Sequence, residues 1–203
     1  MREPGKPYYP PHIYLDNQVY FITAGIIDGK PFLASEEARW LVRDELRASV
    51  IDYHIELMAW VILHNHYHTL FRIERKEQLV AFLKRFHGKT AIELNKLHGT
   101  PGRRVWRNYW DHCPRSERDM YSIFNYIHIN PIKHGLLTLP RLRVDEENGV
   151  YVISTTELPD LHSLLLTYKF SSYPFYTRKL GLEGITNVWL DYPVPSSWGR
   201  DGF

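Results

Sequence analysis

The alternation of apolar and polar side chains centres on residues 60–71, Trp-Val-Ile-Leu-His-Asn-His-Tyr-His-Thr-Leu-Phe. The run is rich in β-branched, aromatic and aliphatic residues and reads as a strand. Successive side chains of a strand alternate faces, so His64, His66 and His68 share one face and Asn65, Tyr67 and Thr69 the other. Neighbouring histidines would then lie roughly 6–7 Å apart along the strand, close enough for two imidazoles to converge on one metal ion. The outer pair, about 13 Å apart, is too far for all three. The plainer alternative is a half-exposed strand with a wet face.

The rest of the chain supplies partners for this strand. Gln18 to Ile27 reads as a first strand, and Asp28-Gly29-Lys30-Pro31 as a turn. Ser35 with Glu36 and Glu37 starts a helix whose inward face carries Ala38, Leu41, Val42 and Leu46. Residues 49–60 return to strand character. Residues 77–97 read as a second helix, with Leu79, Phe82, Leu83 and Phe86 available for burial and a break expected near Gly88 and Thr90. Val105 to Trp110 is a candidate last strand. Ser116 starts another helix, which runs through Ile123 and Ile127 to Asn130, where Pro131 stops or kinks it. Residues 136–160 look irregular, apart from an acidic turn at 145–149 and a hairpin strand at 150–154, and the tail from Pro193 looks loose. Residues 1–17, rich in Pro and Tyr, form an extended arm. Strand, helix, strand, strand, helix is the opening of a ferredoxin-like α+β sandwich, an antiparallel sheet with helices on one face. Residues 1–140 are expected to form the core with its arm, and residues 141–203 a C-terminal extension packed on it.

Composition narrows the function. The chain has 203 residues, 44% hydrophobic and 24% charged, as in ordinary globular proteins. Nothing approaches eighteen consecutive apolar residues, and the first residues lack an apolar signal core, so no membrane span is expected and the cytoplasm is the expected compartment. The single cysteine, Cys113, excludes an internal disulfide and a cysteine-based zinc site. A net charge of +2 does not by itself announce a nucleic-acid binder. Eleven His and six Trp say more, because imidazoles ligate metals and aromatic rings stack on unpaired bases. Residues 103–110 place Arg103, Arg104 and Arg107 beside Trp106, Tyr109 and Trp110, the chemistry of phosphate contact with base stacking. A solvated loop anchored by core tryptophans is the alternative.

Tyr126 and Asn130 lie four apart on the third helix, on one face. The segment from Asn125 to Leu136, Asn-Tyr-Ile-His-Ile-Asn-Pro-Ile-Lys-His-Gly-Leu, resembles the tyrosine motif of the single-tyrosine HUH transposases, most of all the REP-associated tyrosine transposase branch. Asn65-His66-Tyr67-His68 resembles the HUH motif of that family. The spacing of the two motifs, residues 106–110 and Lys169-Phe170-Ser171-Ser172-Tyr173 fit the same pattern. Two positions depart from it. Leu63-His64 stand where the family has Met-Pro, and Tyr67 stands where it has an apolar residue.

The resemblance implies metal-dependent cleavage and rejoining of single-stranded DNA through a covalent 5′-phosphotyrosine, on hairpin-bearing repeats such as repetitive extragenic palindromes or insertion-sequence ends. Tyr126 is then the nucleophile. His66, His68 and Asn130 hold a divalent metal, Mg2+ or Mn2+ by the oxygen-and-imidazole donor set. His64 is open between a further ligand, a base behind the ligands, a phosphate contact and a solvated side chain. DNA contacts are expected from the arm, from Lys84, Arg85 and Lys89, and from Arg103, Arg104, Trp106 and Arg107. The protein is a monomer or a homodimer by the same resemblance. The alternatives are a hairpin-binding module without turnover and a metal phosphoesterase that uses water, with Tyr126 structural.

Overall fold

The computed structural model describes residues 15–139 and 142–199, so most of the expected arm, residues 1–14, lies outside the described residues. The first strand, β1 (Gln18–Gly25), is central, and its register is set by pairing on both sides. Helix α1 (Glu36–Asp52) begins where Ser35 accepts from the Ala38 N–H, satisfying one of the orphan donors of its first turn. Strands β2 (Glu56–Ile62) and β3 (His66–Ile73) form an antiparallel hairpin. Helix α2 (Lys76–Leu97) follows, then a short strand β4 (Trp110–His112). The sheet order β2-β3-β1-β4 is the antiparallel ferredoxin-like order.

The expected sandwich holds for α1 and α2, which cover one sheet face: Tyr67 and Phe71 of β3 pack against Phe86 and Phe82 of α2. Helix α3 (Glu117–Lys133) lies on the other face, where Tyr126 meets Phe21 of β1 and His68 of β3. The two faces of the sheet therefore do different work, one core and one site.

Several boundaries differ from expectation for local physical reasons. Residues 60–71 are not one strand but a hairpin, with a tight turn over 63–65 closed by Leu63 N–H donating to the His66 carbonyl at 2.8 Å. The turn's carbonyls are taken by long-range donors, Leu33 N–H on His64 and Ile26 N–H on Asn65, so it needs no glycine. Helix α2 runs unbroken past Gly88, because its buried face, with Leu83, Phe86, Thr90 and Leu94, packs along its whole length and outweighs the weak local propensity. Helix α3 continues through Pro131 for a last half turn to Lys133. The last sheet strand is 110–112 rather than 105–110; Trp106 makes only an isolated bridge to Ile26.

The C-terminal residues complete the molecule. Strands β5 (Arg143–Asp145), β6 (Val150–Val152) and β7 (Val194–Pro195) form a second antiparallel sheet, so the tail is tied down rather than loose. Helices α4 (Leu158–Leu166) and α5 (Tyr173–Asp191) lie between β6 and β7. Residues 170–172 run along the edge of β2, with Ile62 N–H donating to Phe170 and Ser172 N–H to Trp60, both at 2.9 Å. They cover backbone groups that an edge strand would otherwise expose. The Ser172 hydroxyl is also 2.8 Å from His128 Nε2 and so ties α3 to the sheet edge. No helix among the described residues is long and apolar enough to cross a membrane.

Candidate active site

Strand alternation puts His66 and His68 on the α3 face of β3, their rings 4.9 Å apart between centroids and nearly perpendicular. Both are buried. Burial, with His134 adding repulsion, pulls His66 down to about 3, and burial takes His68 well below the usual imidazole range, with His66 and His134 adding to it. Both rings are therefore neutral near pH 7, the state a metal ligand requires.

Neighbouring groups hold both rings and fix the tautomer of His66. The Asn65 amide donates through Nδ2 to the Gly29 carbonyl at 3.2 Å, which turns its Oδ1 towards His66 Nδ1 at 2.7 Å. An amide oxygen only accepts, so Nδ1 of His66 carries the proton and Nε2 keeps its lone pair. Thr23, paired with His68 across the β1–β3 ladder, places its hydroxyl 2.7 Å from His68 Nδ1. His68 Nε2 is left buried without a hydrogen-bond partner among the described residues.

Helix α3 brings the third group. Asn130 sits one turn after Tyr126, and its Nδ2 donates to the Tyr126 carbonyl at 2.6 Å. That bond aims Oδ1 away from the helix, and Oδ1 is likewise buried without a partner. Two buried polar atoms without a hydrogen-bond partner, His68 Nε2 on β3 and Asn130 Oδ1 on α3, are costly unless something binds them. A divalent cation fits this donor set of two imidazoles and one amide oxygen. Among the described residues no three His, Cys, Asp or Glu side chains form a metal group. His134 lies beside the set, its ring 4.6 Å from that of His66 between centroids. Asn65→Ala is expected to weaken metal binding about 10- to 100-fold by freeing the His66 tautomer, measured by metal titration of the folded protein.

Tyr126 stands edge-on to Phe21, His68 and Trp198. It is 4% exposed. Burial pushes its phenol up to about 12, against a smaller opposing pull from Asn130. Lys133 holds its ammonium 4.5 Å from the ring centre and donates to the Trp198 carbonyl at 2.5 Å. Gly199 lies directly on the phenol: a Cβ there would sit 2.7 Å from the hydroxyl oxygen, and the glycine has φ +75. Trp198 and Gly199 therefore cover one side of this hydroxyl.

Other expected site residues fall elsewhere. His64 lies in the hairpin turn, off the strand, so it does not share the ligand face; burial and then the Arg39 charge lower its basicity. Trp106 is 7% exposed and inside the core, stacked on His87 with its indole N–H donating to Thr90 at 2.9 Å. That placement corrects its assignment as a base-stacking residue. Lys89 pairs with Glu45 at 2.5 Å and Arg85 with Asp52 at 2.9 Å, in the helical layer opposite the site. Arg103 lies over the Phe32 ring and bonds Asn95. Lys84, Arg104 and Arg107 are exposed. Thr23, Lys133, His134 and Ser197–Gly199 join the site without having been expected. Lys133 and His134 were within reach of the sequence, since they follow Asn130 by three and four residues.

A sheet that presents two neutral histidines to a helix carrying a tyrosine and an amide defines a class, the single-tyrosine transposases. The family model described as "Transposase IS200 like" matches residues 30–130, ending on Asn130, and the chain belongs to this family. It is 25% identical over 123 residues to the REP-associated tyrosine transposase of Escherichia coli (strain K12), covering 60% of this chain and 71% of that protein. A putative REP-associated tyrosine transposase of Haemophilus influenzae is 30% identical over 95 residues; the match covers 41% of this chain and 53% of the relative, about half its length. The solved structure of a REP-associated tyrosine transposase bound to a REP hairpin shares the fold, with TM-score 0.58 and 17% identity over 85% of this chain and 87% of that one.

Proposed function

We propose that the protein cuts and rejoins single-stranded DNA beside hairpin repeats, with Tyr126 as the nucleophile and a divalent metal held by His66, His68 and Asn130. The observation that carries this reading is the pair of buried atoms without hydrogen-bond partners, His68 Nε2 and Asn130 Oδ1, beside Tyr126. Membership of a transposase family and relatives named for REP-associated activity support the substrate class. When bound, the metal supplies positive charge that polarises the scissile phosphate, the electrophilic contribution expected of a cation at a phosphoryl centre.

The chain's own residues do the rest. Tyr126 Oη attacks phosphorus, its O–P bond forms, and the bond from phosphorus to the 3′ oxygen breaks. The phenol proton leaves to solvent or a base, and the departing 3′ oxygen takes up a proton as a free hydroxyl. Rejoining is the reverse, with a 3′ hydroxyl attacking the phosphotyrosine. A buried phenol is a poor nucleophile as long as it stays protonated, so loss of its proton must accompany attack. Lys133, beside the ring, is placed to favour the anionic form. Exposed Lys84, Arg104 and Arg107 are the candidate phosphate contacts away from the centre.

Incubation with hairpin oligonucleotides in Mg2+ or Mn2+ is expected to give a protein–DNA adduct stable on a denaturing gel. Chelation with EDTA should abolish it and added metal restore it. Tight binding with no adduct in either metal would replace the strand-transfer reading with that of a binding module.

A further inference from the structure

The space beside Tyr126 extends well beyond the hydroxyl. A cavity of about 760 Å3 lies between the sheet edge and α3, reaching Phe21, Trp110, His112, Arg115, Asp119 and Trp198. That volume is in the range of sites that hold a nucleotide-sized ligand. Its lining is mostly apolar, with a cation at the rim, which suits a planar heterocycle attached to a phosphate.

Trp110 is the key residue. It is 44% exposed, although large and aromatic. It is also held in place. Pairing of β4 with β1 sets Trp110 opposite Thr23. Phe21 meets its ring edge-on at 5.9 Å, and the His112 ring lies parallel to it, 3° apart in plane. His112 is in turn held by Asp119 at 3.0 Å, and the same carboxylate oxygen accepts from the Arg115 backbone N–H. The Arg115 side chain is exposed and makes no ion pair among the described residues. An exposed ring fixed before its ligand arrives loses little entropy on stacking. An aromatic platform beside a free guanidinium is the chemistry by which proteins hold single strands.

We propose that this cavity binds the unpaired base of a nucleotide next to the scissile phosphate, stacked on Trp110, with Arg115 on a neighbouring phosphate. The proposal rests on the strand-transfer reading and adds to it a specificity site. Position argues for a base from the reacting strand itself, because the cavity contains Tyr126 and Thr23, and Thr23 bonds the metal-face histidine His68. A base in a duplex cannot leave its stack to enter such a cavity without a cost, so the site would select single-stranded DNA.

The test uses hairpin oligonucleotides carrying 2-aminopurine in turn at each unpaired position, bound to the full-length protein. Quenching at one position, lost in Trp110→Ala and kept in Trp110→Phe, is the expected result. An abasic nucleotide at that position should weaken binding of the wild type about tenfold and of Trp110→Ala far less. Quenching that is equal in wild type and Trp110→Ala at every position overturns the proposal. Adduct formation, scored on the same complexes, separates the two readings. Adduct without Trp110-dependent quenching sinks the base site and leaves strand transfer standing, whereas quenching without adduct keeps the site and sinks strand transfer.

Discussion

Tyr126→Phe is expected to abolish the covalent adduct while leaving fold, metal affinity and hairpin affinity close to wild type. The change removes one oxygen and keeps the ring. The edge-on contacts to Phe21, His68 and Trp198 are ring contacts and survive it. The Asn130 amide donates to the Tyr126 backbone carbonyl, which the change leaves intact, so Asn130 stays in place. The hydroxyl is buried and raised to about 12, so its loss also removes a polar group from an apolar setting. Stability should therefore stay within about 1 kcal/mol or rise. Without the oxygen there is nothing to bond to phosphorus, and strand cleavage should drop at least about 10⁴-fold, as when a nucleophile is removed from an enzyme whose binding remains. His68→Ala makes the contrast, losing metal binding and cleavage together. Cleavage that survives in Tyr126→Phe but is lost in His68→Ala would assign the attack to water.

The parts of this site that sequence showed are those set by local geometry. A period of two puts His66 and His68 on one face whatever they pair with, and a spacing of four puts Tyr126 and Asn130 on one face of any helix. The first three strands and helices were legible in order for the same reason. What was not legible depended on pairing across the fold. The hairpin turn at 63–65 has no glycine or proline, because Leu33 and Ile26 bond its carbonyls from distant strand and loop positions. That is why His64, in phase with His66 by simple alternation, leaves the face that His66 and His68 share. Thr23 becomes a partner of His68 only through the β1–β3 register. The segment 197–199 reads as a loose tail until β7 pairs with β6 and Lys133 takes the Trp198 carbonyl. Lys169 to Tyr173 looked like a motif without a mechanism. In the fold its serines cover the β2 edge and hold His128, which fixes where α3, and so Tyr126, crosses the sheet.

Trp106→Ala is expected to cost about 3–5 kcal/mol of stability, the range for truncating a buried large aromatic. Composition alone leaves Trp106 and Trp110 equivalent, two tryptophans among arginines. Burial separates them: 7% against 44% exposed, on opposite faces of the sheet. Trp106 stacks on His87 at 5.0 Å and meets Tyr67 edge-on at 5.4 Å. Its indole N–H ends on Thr90, whose hydroxyl is already committed to Phe86. Trp106→Phe should therefore cost less, losing some packing and one hydrogen bond worth about 1 kcal/mol, with no donor stranded. Denaturant unfolding of both variants checks the ranking. The effect should reach the site, because Tyr67 lies between His66 and His68 and rests on Trp106 from the other face of the sheet. Metal affinity should fall in Trp106→Ala and hold in Trp110→Ala. A Trp106→Ala protein as stable as wild type, with only its affinity for single strands reduced, would return that residue to the DNA surface.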